Sequence, residues 1–203
     1  MFGRPSYNKR QSFNGSKRSL DDSVPNAINY MVGLLAKREY SAKDLLDKTL
    51  KRYTSKAAHE ALNTCIERGY QSDERYAQML VRHIELAYYG PMKLQFEAKR
   101  KGIDLSLIND CAQEVDWEAL AYEALIKKYG LNHLDFEQGR KALAFLARRG
   151  FSSSSCMSAL ERLRQELQEQ EFKQAKLKLL IIGFPIVRGF FYEIRAFLSN
   201  VLV

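Results

Sequence analysis

The sequence predicts an all-α protein: an elongated, curved array of three tandem three-helix repeats. Three observations carry that expectation. Helical runs end three times in a basic pair followed by a turn, at Lys51-Arg52-Tyr53, Arg100-Lys101-Gly102-Ile103 and Arg148-Arg149-Gly150-Phe151. Arg52, Lys101 and Arg149 stand 49 and 48 residues apart, a period typical of repeats that bury their apolar faces on their neighbours. Only four prolines and eleven glycines occur in 203 residues, and no segment alternates apolar and polar as a strand would. A repeat array offers a long binding surface rather than a pocket.

Residues 1–25 are rich in Ser, Asn, Gly and Lys/Arg with little to bury, and read as a disordered basic arm. Repeat 1, residues 26–70, opens on Ile28, Met31, Val32 and Leu35, one face of a helix. Ser41-Ala-Lys-Asp44 looks like a capping box for a second helix with Leu45, Leu46, Thr49 and Leu50. Ser55 is placed to cap a third, with Ala58, Ala61, Leu62, Cys65 and Ile66 inward and Gly69 at its end. Repeat 2, residues 71–115, restarts at Ser72-Asp73 with Tyr76, Leu80 and Ile84 as its inward row. Gly90-Pro91 ends that helix and begins the next, since proline suits a first helical turn. Gly102 closes the middle helix, and Asp104 caps one carrying Leu107, Ile108, Cys111 and Ala112. Repeat 3, residues 116–171, begins at Asp116-Trp117, with Trp117, Leu120, Ala124 and Leu125 on one side and Gly130 at the end. Asp135 caps its middle helix, and Ser152 caps the last, with Cys156, Ala159, Leu160 and Leu163 inward. Residues 172–203 form an apolar C-terminal tail; its longest uncharged stretch, Leu179–Val187, is far short of the roughly 20 residues that span a bilayer.

The net charge of +8 is concentrated at the ends. Residues 1–25 hold five Lys/Arg against two Asp, and residues 173–203 five against one Glu, leaving the body at +1. A polyanionic partner is implied, but the body must rely on where its charges sit. Cys65, Cys111 and Cys156 are isolated and odd in number, which supports neither a disulfide framework nor a zinc site. The polar N-terminus is unlike a secretory signal, and a reducing, cytoplasmic setting follows. No Gly-rich phosphate loop, G-x-S-x-G or H-E-x-x-H occurs. His59, His83 and His133 have no ligand-like spacing. The expectation is a protein without enzymatic activity, cofactor, metal or small-molecule substrate.

Two readings of the basic pairs stand side by side. Cations at helix C-termini stabilise the macrodipole by about 0.3–1 kcal/mol each. Alternatively, repeats related by a constant rotation would align Lys51/Arg52, Arg100/Lys101 and Arg148/Arg149 into a stripe. Lys93, Lys99, Lys127, Lys128, Arg140 and Lys141 would thicken it. Such a stripe can track phosphates or an acidic protein groove, and without base-reading residues its nucleic-acid contacts would be sequence-independent. Tyr88, Tyr89 and Tyr129 lie near helix ends beside cations; such tyrosines more often cap cores than stack on bases.

Ser72-Asp73-Glu74-Arg75-Tyr76-Ala77, Tyr89-Gly90-Pro91 and Arg100-Lys101-Gly102-Ile103 together resemble the central repeat of the RecX regulatory protein family. Asp116-Trp117 and Phe145-Leu-Ala-Arg-Arg-Gly-Phe151 resemble its third repeat. Leu34-Leu35-Ala36-Lys37-Arg38-Glu39 with Ser41 resembles the first more loosely, so the likeness spans roughly residues 26–168. It departs from the family at His83-Ile84-Glu85-Leu86-Ala87, which is less basic than usual, and at Ala98, where Phe96 is the candidate replacement for a larger apolar residue. The resemblance implies a bacterial cytosolic protein acting in DNA repair, homologous recombination and the SOS response; the chain is expected to be a monomer. It implies binding to the RecA recombinase filament with suppression of its ATPase and strand exchange, and affinity for single- and double-stranded DNA. On that basis Arg82, Lys93, Lys99, Arg100, Lys101, Lys127, Lys128, Arg140, Lys141, Arg148 and Arg149 form the candidate contact face. The residues leave two rivals open: a sequence-independent DNA-binding module, and an adaptor whose apolar tail self-associates or meets a membrane.

Overall fold

The structure, a computed structural model, describes residues 19–181. The basic arm before residue 19 and the apolar tail beyond residue 181 lie outside the described residues. The chain forms two compact units that divide between Ser72 and Asp73. The first contains repeat 1 and the second contains repeats 2 and 3. All helices are α, and among the described residues the one β feature is an isolated bridge between Asp21 and Tyr53.

In the first unit, α1 (Val24–Leu35), α2 (Ala42–Thr49) and α3 (Ser55–Glu67) enclose Ala27, Met31, Leu45, Ala61 and Cys65, each with no exposed surface. The caps follow local chemistry. The Ser41 hydroxyl accepts the Asp44 N–H at 3.2 Å, satisfying a donor that the first helical turn leaves without a partner. The cap of α3 is Thr54, one residue before the expected Ser55. Thr54 has the extended backbone of an N-cap, and its hydroxyl accepts the Ala57 N–H. Ile66, expected inward, is 46 % exposed. Backbone hydrogen bonds from Asp21 to Arg52 and from Thr54 to Asp21 tie the entering chain to the turn after α2.

In the second unit, α4 (Asp73–Leu86), α5 (Pro91–Lys101) and α6 (Leu105–Cys111) form repeat 2, and α7 (Trp117–Tyr129), α8 (Phe136–Arg148) and α9 (Ser153–Ile181) form repeat 3. Each repeat has its own core: Ala77, Ile84, Leu94, Ala98 and Ile108 in one, and Ala121, Leu125, Ala142, Leu146 and Leu163 in the other. Ala98 is fully buried while Phe96 is 60 % exposed. Phe96 therefore does not fill in for a larger residue at Ala98, because the two point to different sides of α5. Two side chains cross between the cores: Tyr88 packs on the repeat 3 core and Trp117 on the repeat 2 core. α9 is 29 residues long, about 44 Å at 1.5 Å per residue. The sequence boundary at 171/172 falls inside it. Among the described residues, its contacts with the repeat 3 core run from Cys156 to Leu167.

Tyr122 secures α9 to α7. Its hydroxyl donates to Glu166 of α9, and Arg162 lies 4.2 Å over its ring. Burial, then the bond to the Glu166 carboxylate, push the Tyr122 phenol up to about 12. A folded-state pKa above the ordinary value of about 10 stabilises the fold fully below pH 10, and that contribution is lost as pH rises through 12. Tyr122→Phe is expected to cost about 1 kcal/mol at neutral pH and to abolish the late phenol titration seen by ultraviolet absorbance.

The repeats of the second unit meet through backbone. The Gly90 N–H donates to the Arg149 carbonyl at 2.9 Å, and the Met92 N–H donates to the Gly150 carbonyl at 3.0 Å. The C-terminal carbonyls of α8 thus meet the N-terminal amides of α5, each end satisfying the groups the other leaves over. A Cβ on Gly90 would lie 2.3 Å from the Gly150 carbonyl oxygen, and one on Gly150 would lie 2.6 Å from the Lys93 nitrogen. Only glycine fits at either position. Tyr89-Gly90-Pro91 and Arg148-Arg149-Gly150-Phe151 are therefore the two halves of one joint.

Candidate functional site

Cations and rings alternate across that joint. Lys93 sits over Phe96 at 5.3 Å and Tyr89 at 5.9 Å, Arg149 over Tyr89 at 5.0 Å and Phe145 at 4.9 Å, and Lys128 over Phe145 at 4.1 Å and Tyr129 at 5.4 Å. Lys127 adds a branch, 4.3 Å from the centre of the Tyr88 ring. The ladder runs from α5 over the joint to α7, and each rung is an attraction between a positive charge and the negative face of a ring. The tyrosines are half-buried and support the cations; they are not open stacking platforms.

The cations differ in what they can offer. Arg149 is built into the joint: its guanidinium donates to the carbonyls of Ala87 at 2.6 Å and Tyr88 at 3.1 Å. Its neighbour Arg148 is exposed. Lys127 and Lys128 are exposed and form no ion pair among the described residues. With Arg149 they line a cleft of about 260 Å³ that has no acidic residue on its wall. Arg82 stands apart, in a second cleft with Glu85, Asp116 and Glu123. Arg140 pairs with Glu137 at 3.2 Å, and both are well exposed, so the pair contributes little. Lys99 and Lys141 are exposed and Lys101 is half-buried. The structure brings Lys93, Lys127, Lys128 and Arg149 of the expected stripe onto one connected face through shared rings.

Glu97 tempers this face. It pairs with Lys93 at 3.0 Å and accepts from the Arg100 Nε at 2.9 Å. Burial alone would raise its carboxyl, but the hydrogen bonds and charges of Lys93 and Arg100 outweigh that and hold it below the usual value. The resulting stabilisation is present above the ordinary carboxyl pKa and is lost as pH falls below it toward the depressed folded value. Glu97→Gln is expected to remove that acid dependence and to release one positive charge on α5. Binding to a polyanion should tighten about two- to fivefold and steepen its salt dependence by about one charge, measured by fluorescence anisotropy.

The family model for the second three-helix domain of RecX matches residues 72–111, and that for the third three-helix domain matches residues 114–160. Regulatory protein RecX of Acinetobacter baylyi is 32 % identical over 136 residues, which cover 66 % of this chain and 85 % of that protein. The RecX of Stenotrophomonas maltophilia strain K279a is 34 % identical over 149 residues, covering 71 % and 90 %. The chain belongs to the RecX regulatory protein family. A crystal structure of regulatory protein RecX superposes with a TM-score of 0.59 at 21 % identity, over 70 % of this chain and 73 % of that one. RecX from Lactobacillus salivarius gives 0.56 at 21 % identity, over 71 % and 96 %. These likenesses establish the all-α fold of tandem three-helix domains. Every residue of the ladder lies within the two spans matched by the RecX domain models.

Proposed function

We propose that this RecX family member regulates the RecA recombinase by binding the RecA–DNA filament, suppressing ATP hydrolysis and strand exchange in the cytoplasm without catalysing a reaction itself. The ladder across repeats 2 and 3 is the observation that supports this reading. It presents several cations, held in place by rings, on a rigid face; a nucleoprotein filament is a long polyanion that such a face attracts without reading sequence. Within it, Lys127 and Lys128 are the best contact residues, since the joint does not use them. Arg149 acts by holding the face together. Lys93 and Arg100 act through the balance set by Glu97.

The test is RecA ATP hydrolysis on single-stranded DNA, titrated with the wild-type chain and with a Lys127→Glu/Lys128→Glu variant. Inhibition by the wild type at less than one chain per RecA is expected, with about tenfold more of the variant needed at unchanged thermal stability. Equal inhibition by the variant would remove the two lysines from the contact face. A second reading, a sequence-independent DNA-binding module, draws on the same exposed lysines. It is favoured if naked DNA is bound as tightly as filaments, with a steep salt dependence and no inhibition.

A further inference from the structure

Leu86, the last residue of α4, is 80 % exposed. A frayed helix end would account for such a leucine, but this end is fixed. Helices α3, α4, α5 and α8 all close with an amide bonding back five residues: Tyr70 to Cys65, Tyr89 to Ile84, Ile103 to Ala98 and Phe151 to Leu146. The left-handed residue this closure needs is Gly69, Gly102 and Gly150 in three of them; in α4 it is Tyr88, with φ 56°. A left-handed tyrosine is strained, and it persists because its surroundings hold it. Its ring packs on the repeat 3 core and its carbonyl, with that of Ala87, accepts from Arg149. Leu86 is thus displayed on a braced corner.

The ground on either side of the corner is charged with opposite sign. Leu86 and Tyr88 border both clefts: the basic one of Lys127, Lys128 and Arg149, and the other, about 500 Å³, where Glu85, Asp116 and Glu123 outnumber Arg82. A nucleic acid strand, negative throughout, is drawn to the first and repelled by the second, and it gains nothing from a leucine. A protein surface can match all three features at once.

Resting on the proposed function, we infer that Leu86 is a preformed knob that enters an apolar socket on a protein subunit of the filament, a socket flanked by acidic side chains on one side and basic ones on the other. A backbone already fixed at the corner removes the loop-ordering part of the cost of binding, and a central apolar anchor with a charged surround is the arrangement of a hot spot.

The experiment measures binding of the whole chain by anisotropy, to RecA filaments on labelled single-stranded DNA and to the same DNA alone, for wild type, Leu86→Ala and Leu86→Gln. Because the side chain is exposed, both variants should keep the wild-type melting temperature. About tenfold weaker binding to filaments with unchanged affinity for naked DNA is the expected result. Wild-type affinity of both variants for filaments, or an equal loss on naked DNA, overturns the knob and leaves the regulatory reading standing. Failure of the wild type to bind filaments overturns both.

Discussion

Gly90→Ala is expected to lower the stability of the second unit by about 3 kcal/mol or more. A Cβ at this position would meet backbone, 2.3 Å from the Gly150 oxygen and 2.4 Å from its carbonyl carbon, so no side-chain rotation relieves the clash. Overpacking of this kind costs about 1–3 kcal/mol. Separating the two segments enough to relieve it would also break the bonds from Gly90 to Arg149 and from Met92 to Gly150, each worth about 0.5–1.5 kcal/mol. At about 2–4 °C per kcal/mol, the melting temperature read by circular dichroism should fall by about 6–12 °C. Gly33 supplies the contrast. It lies inside α1, and a Cβ there would meet nothing within 4 Å. Gly33→Ala should stabilise by about 0.5–1 kcal/mol through helix propensity alone. Equal effects of the two substitutions would mean that the joint is not a close backbone contact.

Arg149→Ala is expected to cost about 2–3 kcal/mol and to impair function through structure. The change removes charged donors from the carbonyls of Ala87 and Tyr88, and hydrogen bonds to charged groups contribute about 1.5–3 kcal/mol. It also removes the cation between Tyr89 and Phe145, breaking the ladder at its centre. Arg148→Ala, one residue away and exposed, should change stability by less than about 0.5 kcal/mol. Arg149→Lys keeps the charge but not the planar fork of donors, so most of the loss should remain. Chemical denaturation of the wild type and these three variants, beside filament binding, separates the roles: Arg149 variants should lose both properties. A stable Arg149→Ala protein would show that the corner is held by Tyr88 packing alone.

These two arginines also mark where sequence reading stops. Each is half of a basic pair at a helix end, and composition gives no way to rank them. A helix turns about 100° per residue, so adjacent side chains leave on different sides; the joint takes one and solvent the other. What was legible was local. Asp104 and Asp135 cap the helices expected of them, because a cap involves groups only two or three residues apart. Buried rows such as Tyr76, Leu80 and Ile84 follow from helical period. The joint was illegible because Gly90 and Gly150 are 60 residues apart, and nothing in either motif names the other. Trp117 was placed with its own repeat, yet it packs on the preceding core. The ladder likewise needs the tertiary arrangement that sets Lys93 and Arg149 over opposite parts of Tyr89. Legibility therefore ended where distant segments meet.

The head-to-tail seating of α8 on α5 has a mechanical consequence. Side chains in contact can yield by changing rotamer, but two peptide backbones at van der Waals distance cannot. At that joint a displacement applied to repeat 3 is passed to repeat 2 from backbone to backbone. The pair is a caliper of fixed opening: a target that touches both jaws must present two contact points at the matching separation. A lattice whose subunit spacing changes during its working cycle would offer that separation in one state and withdraw it in another.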